Sequence, residues 1–325
     1  MEDMEKIKKE IVNVFKKEKN FFIISHQAPD GDAIGSTLAL GYGLKSLGKK
    51  VIMVSEKNLP LSSDFLPKIK NIKYEIPKKD LSNFVLVALE CPEPKRISHN
   101  LGEKIKYFKF IINIDHHLDN CEFGNLNLID EKASAVGEII YELLKMAKVK
   151  ITKDIATYLY YAIITDTGNF KYYNTTANTL KIASALVETG ISPGKISKFS
   201  FNNIPLSKLK FIGYLLSQIK TEKEGKIAYI SITKEMYKKN SGNPTPSEIL
   251  NFLNMLSDLK VGILFKEEKD EKIRVSLRSS GNINIRKIAA KFSGGGHLNA
   301  AGCIIKDKLS NVENLVLNEV RKIVK

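Results

Sequence analysis

Four short strings hold most of the side chains able to do chemistry: His26, Asp30 and Asp32 in HQAPDGDAIGS, Glu90 in ALECPEP, Asp115, His116 and His117 in IDHH, and Asp166 in ITDTGNF. Carboxylate oxygens with a minority of imidazole nitrogens suit hard or borderline octahedral ions such as Mn²⁺ or Mg²⁺, and no thiol is needed. Ligands enough for two ions are present, and a pair of ions is a tool for cutting phosphate esters. The chain has five histidines, of which His26, His116, His117 and His297 fall in motif-like strings while His99 does not. Aspartate is also scarce, thirteen residues against twenty-three Glu, so its recurrence at strand ends is not the mark of a generally acidic surface.

Each string has a plainer reading. Asp32 could be the N-cap of the helix that follows, with Asp30 in the preceding turn; Gly31 between them is expected to supply an unusual backbone geometry. Polar residues often end strands, although two successive imidazoles after an apolar run are uncommon, and Asp166 could serve only the amides of a helix end. A fifth string, GGGHLNAAGC (294–303), is of another kind. Gly294, Gly295 and Gly296 let backbone N–H groups come close to an anion, and His297 can bond a phosphate or a base. The alternative is a flexible turn. Arg278 in the nearby SLRSS carries a planar guanidinium suited to phosphate or to stacking on a base, with Ser279 beside it, or it is a structural Arg at a strand end.

The elements that must position these groups follow from the apolar pattern. FFIIS (21–25), VIMVS (51–55), FVLVAL (84–89) and FIINI (110–114) are short, rich in β-branched and aromatic residues and bounded by polar turns, as parallel strands buried on both faces are. Helical periodicity fills the intervals, as in DAIGSTLALGYGLKSLG, which ends at Gly48, a helix-terminating residue. An open α/β sheet collects ligands at the carboxyl ends of its strands. His26, Glu90 and Asp115 each stand just where one of these runs stops.

Helices are expected over 134–149, 153–170 and 177–190, the second carrying Asp166, and a Pro-Gly break follows. The second half has a different rhythm, with strands over 225–233, 261–267 and 272–280 and helices near 247–257 and 284–292. The expectation is an α/β protein of two domains: residues 1–190 with a mostly parallel sheet flanked by helices, a linker region at 191–220, and a smaller mixed-sheet domain over 221–325.

Length and composition agree. A chain of 325 residues with 43% apolar content can bury two cores. The first twenty residues alternate Ile7, Ile11, Val12, Val14 and Phe15 with charges, an amphipathic helix and not a secretory signal. No segment approaches the roughly 20 apolar residues that span a bilayer. Cys91, Cys121 and Cys303 are odd in number and lack metal-type spacing, which points to reduced thiols in a cytoplasmic setting. The net charge of +15 would draw polyanions such as nucleic acids, although much of it is Lys spread over a solvated surface.

The order HxxPDxDAxGS, an acid after the third strand, DHH, TDTGxF and GGGHxxAAG resembles the DHH/DHHA1 phosphoesterase family, in its nanoRNase/pAp phosphatase branch, over nearly the whole chain. The resemblance implies a DHH domain holding two Mn²⁺ (Mg²⁺ or Co²⁺ as substitutes), a DHHA1 domain binding nucleotide, and a substrate cleft between them. Carried over, His26 and Asp30 would hold one ion, Asp32, His116 and Asp166 the other, and Glu90 would bridge. His117 would face the scissile phosphate, with Asp115 orienting the imidazoles, while Arg278, Ser279 and the 294–297 turn would grip the far end of the substrate. The implied substrates are short single-stranded RNA or DNA oligonucleotides and 3′-phosphoadenosine 5′-phosphate (pAp), with linear or cyclic dinucleotides as the alternative, and relatives often form homodimers. A binding module with a degraded metal site is the non-enzymatic alternative. Two positions depart from the family pattern: Glu90 stands where Asp is usual, and Leu298-Asn299 where Pro and a basic residue are usual.

Overall fold

The computed structural model describes residues 2–76, 80–239, 244–296 and 298–324. The chain forms two compact units, Met1–Asn203 and Ile204–Lys325.

In the first unit the order is α1 (Glu2–Lys17), β1 (Asn20–Ser25), α2 (Gly31–Ser46), β2 (Lys50–Val54), β3 (Val85–Leu89), β4 (Phe110–Asp115), β5 (Leu126–Ile129), α3 (Val136–Met146), α4 (Lys153–Asp166), α5 (Ala177–Val187) and α6 (Pro193–Phe201). The strands pair in parallel in the order β2-β1-β3-β4-β5. Alternate residues serve opposite faces. Phe21, Ile23, Val85, Val87, Leu89, Ile112 and Ile114 join the core built with α1 to α4. Phe22, Ile24, Leu86 and Ala88 join a second core with Leu101 of the 3₁₀ turns at 94–107 and with Ile97 and Phe108, which cap those turns. Burial on both sides explains why these runs are continuously apolar. In this strand order the chain reverses direction across the sheet between β1 and β3, and the crevice at their carboxyl ends is where such sheets take ligands.

Helix α2 lies close against α4, and small residues make this possible. A Cβ on Gly31 would overlap the Thr165 side chain, and one on Gly35 would come within 2.5 Å of the Tyr158 carbonyl oxygen. Gly31 is therefore demanded by packing, and the expectation of an unusual backbone there is corrected: the left-handed residue in this loop is Ala28, at φ +53°. Gly48 does end its helix at φ +75°.

The second unit runs α7 (Leu206–Leu216), β6 (Lys220–Glu222), β7 (Ile227–Ile232), α8 (Lys234–Lys239), α9 (Pro246–Leu253), β8 (Val261–Glu267), β9 (Lys272–Ser279), α10 (Arg286–Lys291), β10 (Gly295–Gly296), β11 (Ala300–Lys306) and α11 (Leu309–Ile323). Its sheet is mixed, in the order β10-β11-β9-β8-β7-β6, with β7 and β8 parallel and the other pairs antiparallel. Ile263, Val275, Leu277 and Cys303 face α10 and α11, while Ile230, Ile232 and Leu264 face α7 and α9. The stretch 191–220 carries α6 and α7.

Candidate metal centre

Three strand ends and two helix ends bring the acidic and imidazole groups of the first unit together. Two overlapping sets of ligand atoms, each within 4.8 Å of one another, are formed by His26, Asp30 and Glu90 and by Asp32, Glu90 and His116. Glu90 belongs to both. Asp166, at the last position of α4, adds Oδ2 at 3.6 Å from His116 Nε2.

Local structure fixes each group. Asp30 is the N-cap of α2, its Oδ1 accepting from the Ala33 N–H at 3.0 Å, so capping falls to Asp30 and not to Asp32. Asp32 points inward, fully buried, and accepts from Ser36 Oγ at 2.8 Å and from the N–H groups of Val136 and Gly137 at 2.5 and 3.0 Å. These last two are unsatisfied donors of the first turn of α3, a natural seat for negative charge. Glu90 follows β3 in the left-handed region at φ +54°, a conformation that costs a non-glycine residue about 1–3 kcal/mol and that persists when its surroundings impose it.

The two imidazoles are oriented alike. His26 Nδ1 lies 2.7 Å from the Gln27 carbonyl oxygen and His116 Nδ1 lies 3.1 Å from that of Ala133. Each carbonyl accepts from Nδ1–H, which leaves the Nε2 electron pair to face carboxylates: Glu90 Oε2 at 3.7 Å for His26, and Glu90 Oε1 at 3.8 Å for His116. Those separations exceed a hydrogen bond. They match two atoms sharing one ion, since ligands at about 2.1 Å from a common centre stand roughly 3–4 Å apart.

Electrostatics tell the same story. Burial, and then the charges of Asp30, Asp32 and Asp166, hold the Glu90 carboxyl well above the usual range, and its Oε2 is buried without a hydrogen-bond partner. Burial likewise raises Asp32, and it pushes Asp166, with the help of Asp32, up to about 8. Burial depresses His116, but the Asp166 and Asp32 charges more than offset that and raise it. Mutually repelling carboxylates, an orphaned buried oxygen and two aligned Nε2 electron pairs form a donor set that fits divalent cations.

Asp115 differs. It is fully buried, and although burial pushes it up, the His117 ring, the Asn120 amide and the His116 N–H keep it below the ordinary value. Its Oδ1 takes His117 Nδ1 at 2.7 Å and the His116 N–H at 2.8 Å, and its Oδ2 takes Asn120 Nδ2 at 2.7 Å. Asn120 also donates to the Cys91 carbonyl and accepts from Asn113, which ties the loop after β4 to the loop after β3. Asn120, Ser36 and the start of α3 were not singled out by the sequence. The only signal for Ser36 is its place one helical turn after Asp32, and a lone Asn in a loop gives none.

The substrate-binding candidates lie in the second unit. Arg278 pairs with Ala300, and Gly295 and Gly296 pair with Gly302 and Ala301, so Arg278 and the glycine turn share one end of the sheet. His297 lies outside the described residues. A Cβ on Gly294 or Gly296 would run into β11, whereas Gly295 faces open space. The Ser279 hydroxyl donates to the Ile283 carbonyl at 2.7 Å and accepts from Asn299 Nδ2 at 2.9 Å. Asn299 also reaches the Gly281 carbonyl, so the departure from the family pattern at this position braces the 279–285 loop.

The first unit thus carries two overlapping sets of side chains able to hold divalent ions. Residues 20–163 match the DHH family, N-terminal domain, and residues 218–325 match the DHHA1 domain. Several relatives bear the name bifunctional oligoribonuclease and PAP phosphatase NrnA, two of them matching over nearly the full length. The one from Thermus thermophilus is 32% identical over 94% of this chain and 90% of its own, and the one from Mycoplasma genitalium is 32% identical over 97% of each. The crystal structure of an exopolyphosphatase-related protein from Bacteroides fragilis superposes with a TM-score of 0.91 at 28% identity, covering 98% of this chain and 96% of that one. The chain belongs to the DHH/DHHA1 phosphoesterase family, alongside its NrnA members.

Proposed function

We propose that this protein hydrolyses very short oligonucleotides to mononucleotides and pAp to AMP, using two divalent ions, Mn²⁺ foremost. The observation that carries the proposal is the doubled ligand set with Glu90 common to both halves. His26 and Asp30 would hold one ion and Asp32, His116 and Asp166 the other, with Glu90 between. When bound, two ions at such a site lower the pKa of water toward about 7 and neutralise charge at phosphorus.

The chain's own groups do the rest. The α3 N–H groups and Ser36 hold the Asp32 carboxylate in place, and the Gln27 and Ala133 carbonyls hold the two Nε2 atoms in their roles. Asp115 accepts from His117 Nδ1–H, which assigns Nε2 of that ring to meet a phosphate oxygen as charge develops there. Gly295 and Arg278 supply donors for a second phosphate, and His297 belongs to the same string. The substrate class rests on the relatives' names, and a cytoplasmic setting on three cysteines without disulfides.

Labelled dinucleotide, pAp and cyclic di-AMP incubated with Mn²⁺, then with EDTA, test the reading. Turnover of the first two that stops in EDTA is expected. Exclusive turnover of cyclic di-AMP would move the substrate class to cyclic dinucleotides, and no turnover with Mn²⁺, Mg²⁺ or Co²⁺ would leave a binding module.

A further inference from the structure

The second unit holds a pocket of about 570 Å³ that no step above uses. It lies where the parallel strands β7 and β8 both end, an open concavity bordered by α8 and the β8–β9 hairpin. Lys234, Lys238, Lys266, Lys269 and Lys272 line it, against three carboxylates. Glu267 accepts from the Lys234 backbone N–H at 2.9 Å and Glu268 pairs with Arg274 at 2.6 Å, and the lining as a whole sets five ammonium groups against three carboxylates. Among the described residues none of the five ammonium groups has a carboxylate partner; the one recorded contact is Lys266 Nζ at 4.7 Å from the centre of the Tyr237 ring. Tyr237 is part of the same lining, and its hydroxyl is buried with no hydrogen-bond partner among the described residues. Burial, and then the Glu268 charge, push it up to about 12, so it stays a neutral O–H donor.

Five ammonium groups outnumber three carboxylates in one concavity, and the excess positive charge favours an anion. The pocket's volume lies within the roughly 300–1,000 Å³ typical of small-molecule sites. Lysines are mobile point donors, suited to the several non-bridging oxygens of a phosphate chain more than to one planar carboxylate. Lys272 is six residues from Arg278 along β9, about 20 Å at about 3.4 Å per residue, so the pocket is remote from the glycine turn.

We propose that this pocket binds a compact molecule carrying a chain of two or more phosphates, at a site separate from the one that engages substrate. The test titrates the full chain, in EDTA so that nothing is hydrolysed, with tripolyphosphate, ATP and adenosine by calorimetry. Tripolyphosphate and ATP should bind, and adenosine should not. Greater affinity for ATP assigns the pocket to nucleotides, and equal affinity assigns it to the phosphate chain itself. Lys266→Gln with Lys272→Gln should weaken binding at least about tenfold, as losing charge-assisted contacts does. The same charge change on α1, Lys16→Gln with Lys17→Gln, should cost less than about twofold through long-range charge alone, and Arg278→Ala should cost nothing. Absence of binding, an equal loss from the α1 pair, or a loss confined to Arg278→Ala would overturn the proposal.

Discussion

Asp32 and His116 meet opposite demands. Asp32 is buried and His116 half-buried among like or opposite charges, and each is held by backbone groups. Removing either leaves Glu90 with one set of partners, so Asp32→Ala and His116→Ala should abolish dinucleotide hydrolysis while the fold persists; full activity in either would remove the metal assignment. Asn120 acts through Asp115. Asn120→Ala should lower activity or metal affinity by roughly 10–100-fold, the usual effect of losing a residue that orients a ligand's neighbour, and an unchanged Mn²⁺ titration with unchanged rate would contradict this. Glu90→Asp shortens the carboxylate on a backbone already held at φ +54°, and a fall in rate is expected. His26, Glu90 and Asp115 could be read in advance because each ends an apolar run. Asn120 could not, because its meaning lies in one 2.7 Å contact across a loop.

At the level of elements, the first sheet was legible because strands buried on both faces carry unbroken apolar runs. Strand β5 was not, since its four residues LNLI include Asn127, which bonds Gly124 and reads as loop. Strand β11 was hidden in the glycine string: its first residues, Ala300 to Cys303, stand in the same string as the turn, and two of the three glycines are there to let β11 pass. That distinction is testable. Gly294→Ala, with a Cβ 2.5 Å from Cys303 Cβ, should destabilise the protein by about 1–3 kcal/mol in thermal unfolding. Gly295→Ala, in open space, should leave the melting temperature alone and raise KM if that turn grips phosphate. The reverse pattern would count against the assignment. The contact of α2 with α4 has the same logic: Gly35→Ala should lower stability by about 1–3 kcal/mol and loosen metal binding, since α2 carries Asp32 and α4 carries Asp166.

For the molecule as a whole, the raised carboxyls couple stability to pH. Asp32, Glu90 and Asp166 hold protons in the metal-free fold that an unfolded chain gives up near pH 4, so stability falls as pH rises from about 4 to about 8. Divalent ions replace those protons, and the rise in melting temperature on adding Mn²⁺ should therefore be larger at pH 8 than at pH 5. An equal rise at both would contradict it. No helix among the described residues is long and apolar enough to cross a membrane, and the +15 charge was visible from composition, but the meeting of five lysines in one pocket at the ends of β7 and β8 was not. The central claim is that six side chains from distant parts of the first unit hold two ions on which hydrolysis depends. Manganese titration of the wild-type chain, read by bound metal and by dinucleotide cleavage together, should give two ions per chain, with cleavage rising only as the second fills and vanishing in EDTA. Cleavage that persists undiminished in EDTA, or saturates with no manganese bound, would contradict it.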